Sequence, residues 1–243
     1  MKILLVILTV VFLYALFELF FVGSAVLKGR SVVAAAEPFT RDNGPHAPRV
    51  LVIGDSTGYG TGADIPEESV AGRLGVAYPH VTIQNASVNG LRTEGLLRLL
   101  QEIPEETSYK LILINIGGND ILNFVSTNVI HENLVNIFEE ATQRSEYVAV
   151  MSTGNVGVAP GFGPLLSYAY TAKTKEVREV FLELSTQYDS VLYVDLFRPR
   201  SEDVFAQDPL RYHAIDGVHP SSDGYAEWYE SLERVLEEND VQL

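Results

Sequence analysis

From residue 49 onward the chain alternates between two hydrophobic periods. Short runs that are apolar at nearly every position predict strands over residues 49–54, 80–86, 110–116, 147–153 and 191–196. Between them, apolar positions three and four apart predict helices over 67–76, 93–102, 128–145, 172–188 and 221–238. In 172–188 the period is carried by Val177, Val180, Phe181 and Leu184, and Ser221 supplies an N-cap signal for the last helix. Strands apolar on both faces, alternating with amphipathic helices, predict a parallel sheet covered on both sides. Residues 154–171, GNVGVAPGFGPLLSYAYT, break this rhythm. Their glycines and prolines predict one long connection, and its apolar residues suit a binding loop or lid as well as simple packing against the domain.

Ahead of this pattern, residues 3–27 carry a single charge, Glu18, between Lys2 and Lys28. Such a run can cross a bilayer core of about 30 Å. Residues 3–17 also match the apolar core of a signal peptide, with Gly23-Ser24-Ala25 or Ala34-Ala35-Ala36 as cut sites. Residues 1–30 are therefore expected to be a membrane anchor, with a cleaved signal as the alternative. Basic residues flank the run on both sides (Lys2 before it; Lys28, Arg30 and Arg41 after it), so charge does not fix the orientation. Signal-anchors commonly export the domain behind them, so the expectation is an anchored periplasmic or extracellular domain, or a secreted one after cleavage. Residues 31–48 mix Ala, Pro, Gly and charge without a period and are expected to be a linker. That leaves 49–243 as one domain.

Composition narrows the function. The 243 residues are 47% hydrophobic, enough for a substantial core without staples. With no cysteine, disulfides, thiolate metal sites and a Cys nucleophile are excluded. A net charge of −15 opposes binding to nucleic acid.

The candidate chemistry sits where the predicted strands end. Residues 50–64, VLVIGDSTGYGTGAD, run from a strand into a glycine-rich turn. The stretch Gly58-Tyr59-Gly60-Thr61-Gly62-Ala63 fits a dinucleotide fingerprint, but it starts four residues after Gly54, and the second strand ends at Asn85-Ala86-Ser87 with no acidic residue. No Lys-Ser/Thr pair comes after the glycines, so a phosphate loop fails as well. The turn instead presents Ser56 as a candidate nucleophile, which requires a base, a group to orient the base, and oxyanion donors. Of five histidines, His46, His80 and His131 suit linker, strand-start and helix positions. The other two flank Asp216 in RYHAIDGVHPSSDG, each three positions away, so spacing alone does not choose between His213 and His219. Pro220 favours His219, because it keeps that residue extended and outside the final helix. Gly90 after the second strand offers a bare backbone N–H, and Asn119 after the third offers a side-chain amide. With the Ser56 N–H these make three donors for a developing oxyanion.

Four blocks of the chain, Gly54-Asp55-Ser56-Thr57, Gly90 in NASVNG, Gly117-Gly118-Asn119-Asp120 and Asp216-Gly217-Val218-His219, resemble in order and spacing the sequence blocks of the SGNH, or GDSL-type, hydrolases. The resemblance covers about residues 49–237. It implies a flavodoxin-like α/β/α sandwich with a five-stranded parallel sheet. It also implies Ser56 as nucleophile, His219 as base, Asp216 as its partner, and Ser56, Gly90 and Asn119 as the oxyanion hole. Thr57 stands where the family name has Leu, and Asp55 and Asp120 read as braces of their turns. The implied reaction transfers an acyl group from an ester to water. No metal or organic cofactor is expected, since HExxH, EF-hand spacing and cysteine clusters are missing from the sequence. The expected partners are a small-molecule, lipid or glycan ester and, through the N-terminal segment, a membrane. Lipid-type or short-chain acyl esters are weighed against O-acetyl groups on polysaccharides, and against a non-catalytic glycan- or lipid-binding module on the same fold.

Overall fold

The structure, a computed structural model, describes residues 2–104 and 108–243. A long helix, α1 (Lys2–Ala35), leads into β1 (Arg49–Gly54) and a single helical turn, α2 (Ser56–Tyr59). Next come α3 (Val70–Ala77), β2 (Thr82–Asn85), α4 (Thr93–Gln101), β3 (Tyr109–Asn115) and the short α5 (Gly118–Leu122). The chain continues through α6 (Thr127–Arg144), β4 (Ser145–Met151), α7 (Pro164–Ser185) and β5 (Val191–Val194). It ends with two single turns, α8 (Val204–Gln207) and α9 (Pro209–Tyr212), and with α10 (Ser222–Glu238). Ser221 caps α10 by accepting the Gly224 N–H.

The five strands form one sheet in the order β2-β1-β3-β4-β5, every pairing parallel. Successive strand residues serve opposite faces. Leu51 and Ile53 of β1, with Ile112 and Ile114 of β3, pack under α4, α6 and α7. Val50 and Val52, with Leu111 and Leu113, pack under α3 and α10, where Leu74, Tyr225 and Leu232 are fully buried. Both faces exclude water, so the strands show no polar alternation. Reversal of the strand order beside β1 opens a crevice at the carboxyl ends of β1 and β3, the usual ligand position in such sheets.

Two segments differ from the sequence reading. The expected connection 154–171 ends early, because α7 starts at Pro164 and contains residues 164–171. Proline suits the first helical turn, where its missing N–H is not needed, so it marked a helix start rather than a loop. The expected linker 31–48 is also more ordered than its composition suggested. Helix α1 runs on to Ala35, Phe39 is buried against Gly75, and Arg41 pairs with Ile83 through two backbone hydrogen bonds. One aromatic ring, one bridge to β2 and the Asn43 side chain, which donates to Pro79 O and Val81 O, fasten a segment that has no hydrophobic period.

Candidate active site

Ser56 is the first residue of α2, directly after β1, and only 8% exposed. Asp55 caps that turn: its carboxylate accepts the Thr57 N–H at 2.9 Å and the Thr57 hydroxyl at 2.7 Å. Thr57 thereby works through its hydroxyl at a position the family name gives to Leu. Burial raises the Asp55 carboxyl to about 6, against the pull of the Thr57 donors.

The segment after α9 folds back across this turn. Ala214 N–H donates to His219 O at 2.9 Å, and Gly161 N–H to Gly217 O at 2.8 Å, fixing the loop at both sides. His219 Nε2 lies 3.0 Å from Ser56 Oγ, and its Nδ1 lies 2.6 Å from Asp216 Oδ2. The contact with the carboxylate assigns the Nδ1 proton, leaving Nε2 to accept from the serine hydroxyl. The other carboxylate oxygen of Asp216 accepts the N–H groups of Val218 and His219. Burial alone raises the Asp216 carboxyl; His219 and these amides outweigh it and hold the group below its ordinary value.

His213, equally spaced from Asp216, borders the same cavity as Ser56 and His219, but its ring is held differently. Its Nδ1–H donates to Pro209 O at 3.2 Å and its ring stands edge-on to Phe205. Burial lowers it to about 4, so it is neutral through the physiological range.

The candidate donors line the same cavity as Ser56 and His219, a space of about 270 Å³. Gly90 has φ +80, while a Cβ there would meet open space. Conformation, not close approach, therefore calls for glycine at this position. The Asn119 side chain gives one N–H to Leu91 O at 3.1 Å, which orients the amide and leaves its second hydrogen free. Asp120, next to it, accepts the Thr93 N–H and hydroxyl at the start of α4 and so joins the third strand end to the second. The cavity wall is largely apolar, with Leu122, Val156, Leu196, Val218 and Trp228.

One wall residue comes from ahead of the expected domain 49–243: Val33, from the last turn of α1. The less exposed positions of α1, Glu18, Phe21, Val22, Ser24, Ala25, Gly29 and Val32, follow a spacing of about three to four residues and form the face laid on the domain. That spacing was present in the sequence, hidden because the flanking residues are equally apolar. Glu18 fixes the contact. Its carboxylate accepts the Leu165 N–H at 2.9 Å at the start of α7, where a Cβ on Gly163 would collide with it. A charge inside an apolar helix is thus placed at a helix N-terminus, which favours it.

A hydroxyl, an imidazole and a carboxylate stand in one hydrogen-bonded line at the carboxyl edge of a parallel sheet, beside an apolar cavity, an arrangement that recurs in serine hydrolases on unrelated folds. The chain belongs to the GDSL-like lipase/acylhydrolase family, whose model matches residues 52–227. Over 128 residues it is 30% identical to the esterase TesA of Pseudomonas aeruginosa, a match spanning 51% of this chain and 62%, under two thirds, of that esterase. The crystal structure of TesA superimposes with a TM-score of 0.59 at 21% identity, covering 77% of this chain and 97% of the other. A lipolytic G-D-S-L family member from Veillonella parvula gives 0.61 at 18% identity, covering 79% and 99%. A lipase/acylhydrolase from Enterococcus faecalis gives 0.58 at 22%, covering 79% and 96%. At these identities the structures share the fold.

Proposed function

We propose that the protein is a membrane-tethered serine esterase that cleaves lipid-type or short-chain acyl esters through an acyl-enzyme at Ser56. The observation that carries this reading is the continuous line Asp216–His219–Ser56, with contacts of 2.6 and 3.0 Å. Ser56 Oγ attacks the acyl carbon as its proton passes to His219 Nε2, and Asp216 stabilises the imidazolium through Nδ1–H. The carbonyl oxygen becomes an oxyanion, facing the N–H groups of Ser56 and Gly90 and the free hydrogen of the Asn119 amide. Being first in its helical turn, the Ser56 N–H has no intrahelical acceptor and is available. Collapse breaks the ester C–O bond, and His219 returns the proton to the departing alkoxide. Water then attacks the acyl-enzyme, giving a proton to His219. The second collapse restores the Ser56 hydroxyl and releases the acid.

Asn119→Ala is expected to lower kcat by about 10²–10³ with little change in KM, because its donor matters mainly once the oxyanion forms. Steady-state kinetics on a soluble ester checks this; a change confined to KM places Asn119 in ground-state binding instead.

The apolar cavity favours an acyl chain over a sugar. The test is a panel of p-nitrophenyl esters from acetyl to palmitoyl, run beside an acetylated polysaccharide on the full chain in detergent. Turnover of esters longer than acetyl, exceeding release of acetate from the glycan, supports the acyl-ester reading. Release from the glycan alone overturns it in favour of a polysaccharide O-acetyl esterase. No turnover of any substrate favours a binding module. Helix α1 supports the tether: between Lys2 and Glu18 its side chains are exposed and apolar apart from the hydroxyls of Thr9 and Tyr14, and its mean hydropathy over the best 18-residue window is 2.7.

A further inference from the structure

Among the described residues, the three most exposed large apolar or aromatic side chains outside α1 are Leu210 at 91%, Tyr168 at 79% and Ile215 at 73%. They are not scattered. Leu210 and Ile215 line a groove of about 480 Å³ against Phe20, Phe21, Ser24 and Ala25 of α1. Tyr168 stands one helical turn beyond Leu165, itself 58% exposed, whose N–H is held by Glu18. Leu165, Leu210 and Ile215 therefore stand beside α1 at residues 18–25, where it leaves the domain, with Tyr168 one turn further along α7. Exposed apolar groups in a contiguous patch mark a contact surface rather than ordinary variation.

The length of α1 says what that surface meets. The helix is free of the domain only between Lys2 and Glu18, and these 15 residues, 3–17, rise about 22 Å. A bilayer core is about 30 Å thick. The remaining apolar residues, 19–27, are alongside the domain, so α1 reaches across an unthinned core when the domain sinks by about 8 Å where Leu165, Tyr168, Leu210 and Ile215 stand. We infer that these side chains form a collar around α1 that inserts into the acyl boundary of a lipid bilayer. The inference rests on the proposed tether and not on the esterase chemistry. With a net charge of −15 over the whole chain, the protein meets a zwitterionic surface with less repulsion than an anionic one.

The chain has no cysteine, so single-cysteine spin labels carry no background. Full-length protein is reconstituted in phosphatidylcholine vesicles with a label at Tyr168→Cys, Leu210→Cys or Ile215→Cys. Val10→Cys, in the free part of α1, serves as the lipid reference, and Glu146→Cys, at the amino end of β4 and so away from the active-site end of the sheet, as the aqueous one. Accessibility to oxygen is compared with accessibility to a water-soluble nickel chelate. The collar labels are expected to favour oxygen, at depths between the two references. Collar labels that match Glu146 while Val10 lies in lipid overturn the collar and leave the tether standing. A Val10 label in water overturns both, without bearing on ester turnover measured on the same samples. Collar labels shielded from both reagents, with spin–spin coupling between chains, show a second copy covering the patch and also overturn the inference.

Discussion

Ser56→Ala is expected to abolish ester hydrolysis, a loss of up to about 10⁶ in kcat, the scale seen when a serine nucleophile is removed. The fold should be unaffected. The Ser56 hydroxyl bonds to His219, and the turn that carries it is held by Asp55 and Thr57. Removing one hydroxyl from this position leaves no cavity larger than an atom, so the thermal midpoint should move by a few degrees at most, or about 1 kcal/mol. A fluorophosphonate probe should label the native protein at Ser56 and leave the alanine variant unlabelled. Labelling at any other serine, or retained turnover in Ser56→Ala, would move the nucleophile elsewhere.

The second large effect separates two histidines that the sequence presents symmetrically about Asp216. His219→Ala is expected to cost at least about 10³ in kcat, as the base is lost and the serine hydroxyl has no acceptor. His213→Ala should cost less than about tenfold in kcat. Its Nδ1 proton is committed to Pro209 O, burial makes its ring a weak base, and His219 already holds the place beside the serine hydroxyl, so it is neither placed nor basic enough to take the serine proton. Its removal does open space beside Phe205, and a loss of stability is the expected result there, read as a lower thermal midpoint. Comparing kcat with thermal denaturation for the two variants keeps the roles apart. Reversed kinetic outcomes would make His213 the base.

Much of this is legible in the residues alone. Strand identities come from apolar runs, and every strand named in the sequence appears in the sheet because burial on both faces leaves a continuous signal. The turn at Ser56, Gly90, Asn119 and the Asp216–His219 segment are recognisable because each sits at a strand end with a distinctive neighbour. The choice between the histidines is only half written in the chain. Pro220 gives a local hint, but the hydrogen bond from His213 to Pro209 is what shows where the other ring goes. Two features are not legible. Pro164 stands among glycines and reads as loop, although it opens a helix of 22 residues. The face of α1 that meets the domain is hard to read because both sides of that helix are apolar as far as Leu27, so the spacing of the buried positions does not stand out. Glu18 is noticeable as a charge, yet its partner is a backbone N–H 147 residues away, which no local pattern reveals.

The joint at Glu18 turns α1 from a leash into a ruler. Gly29 lies against Asp216, with a Cβ position 3.6 Å from its carboxylate. Eleven residues of helix separate Glu18 from Gly29, about 16 Å along its axis. With Glu18 about 8 Å inside the hydrocarbon, Asp216 stands about 8 Å above it, near the outer limit of a headgroup layer roughly 5–7 Å deep. An ester at the glycerol level would then have to rise by less than about a nanometre to reach Ser56. Each methylene drawn out of the bilayer costs about 0.8 kcal/mol until it enters the apolar cavity. On the proposed tether and collar, vertical reach would act as a filter: single-chain esters would make that climb far more readily than lipids that must lift two chains together.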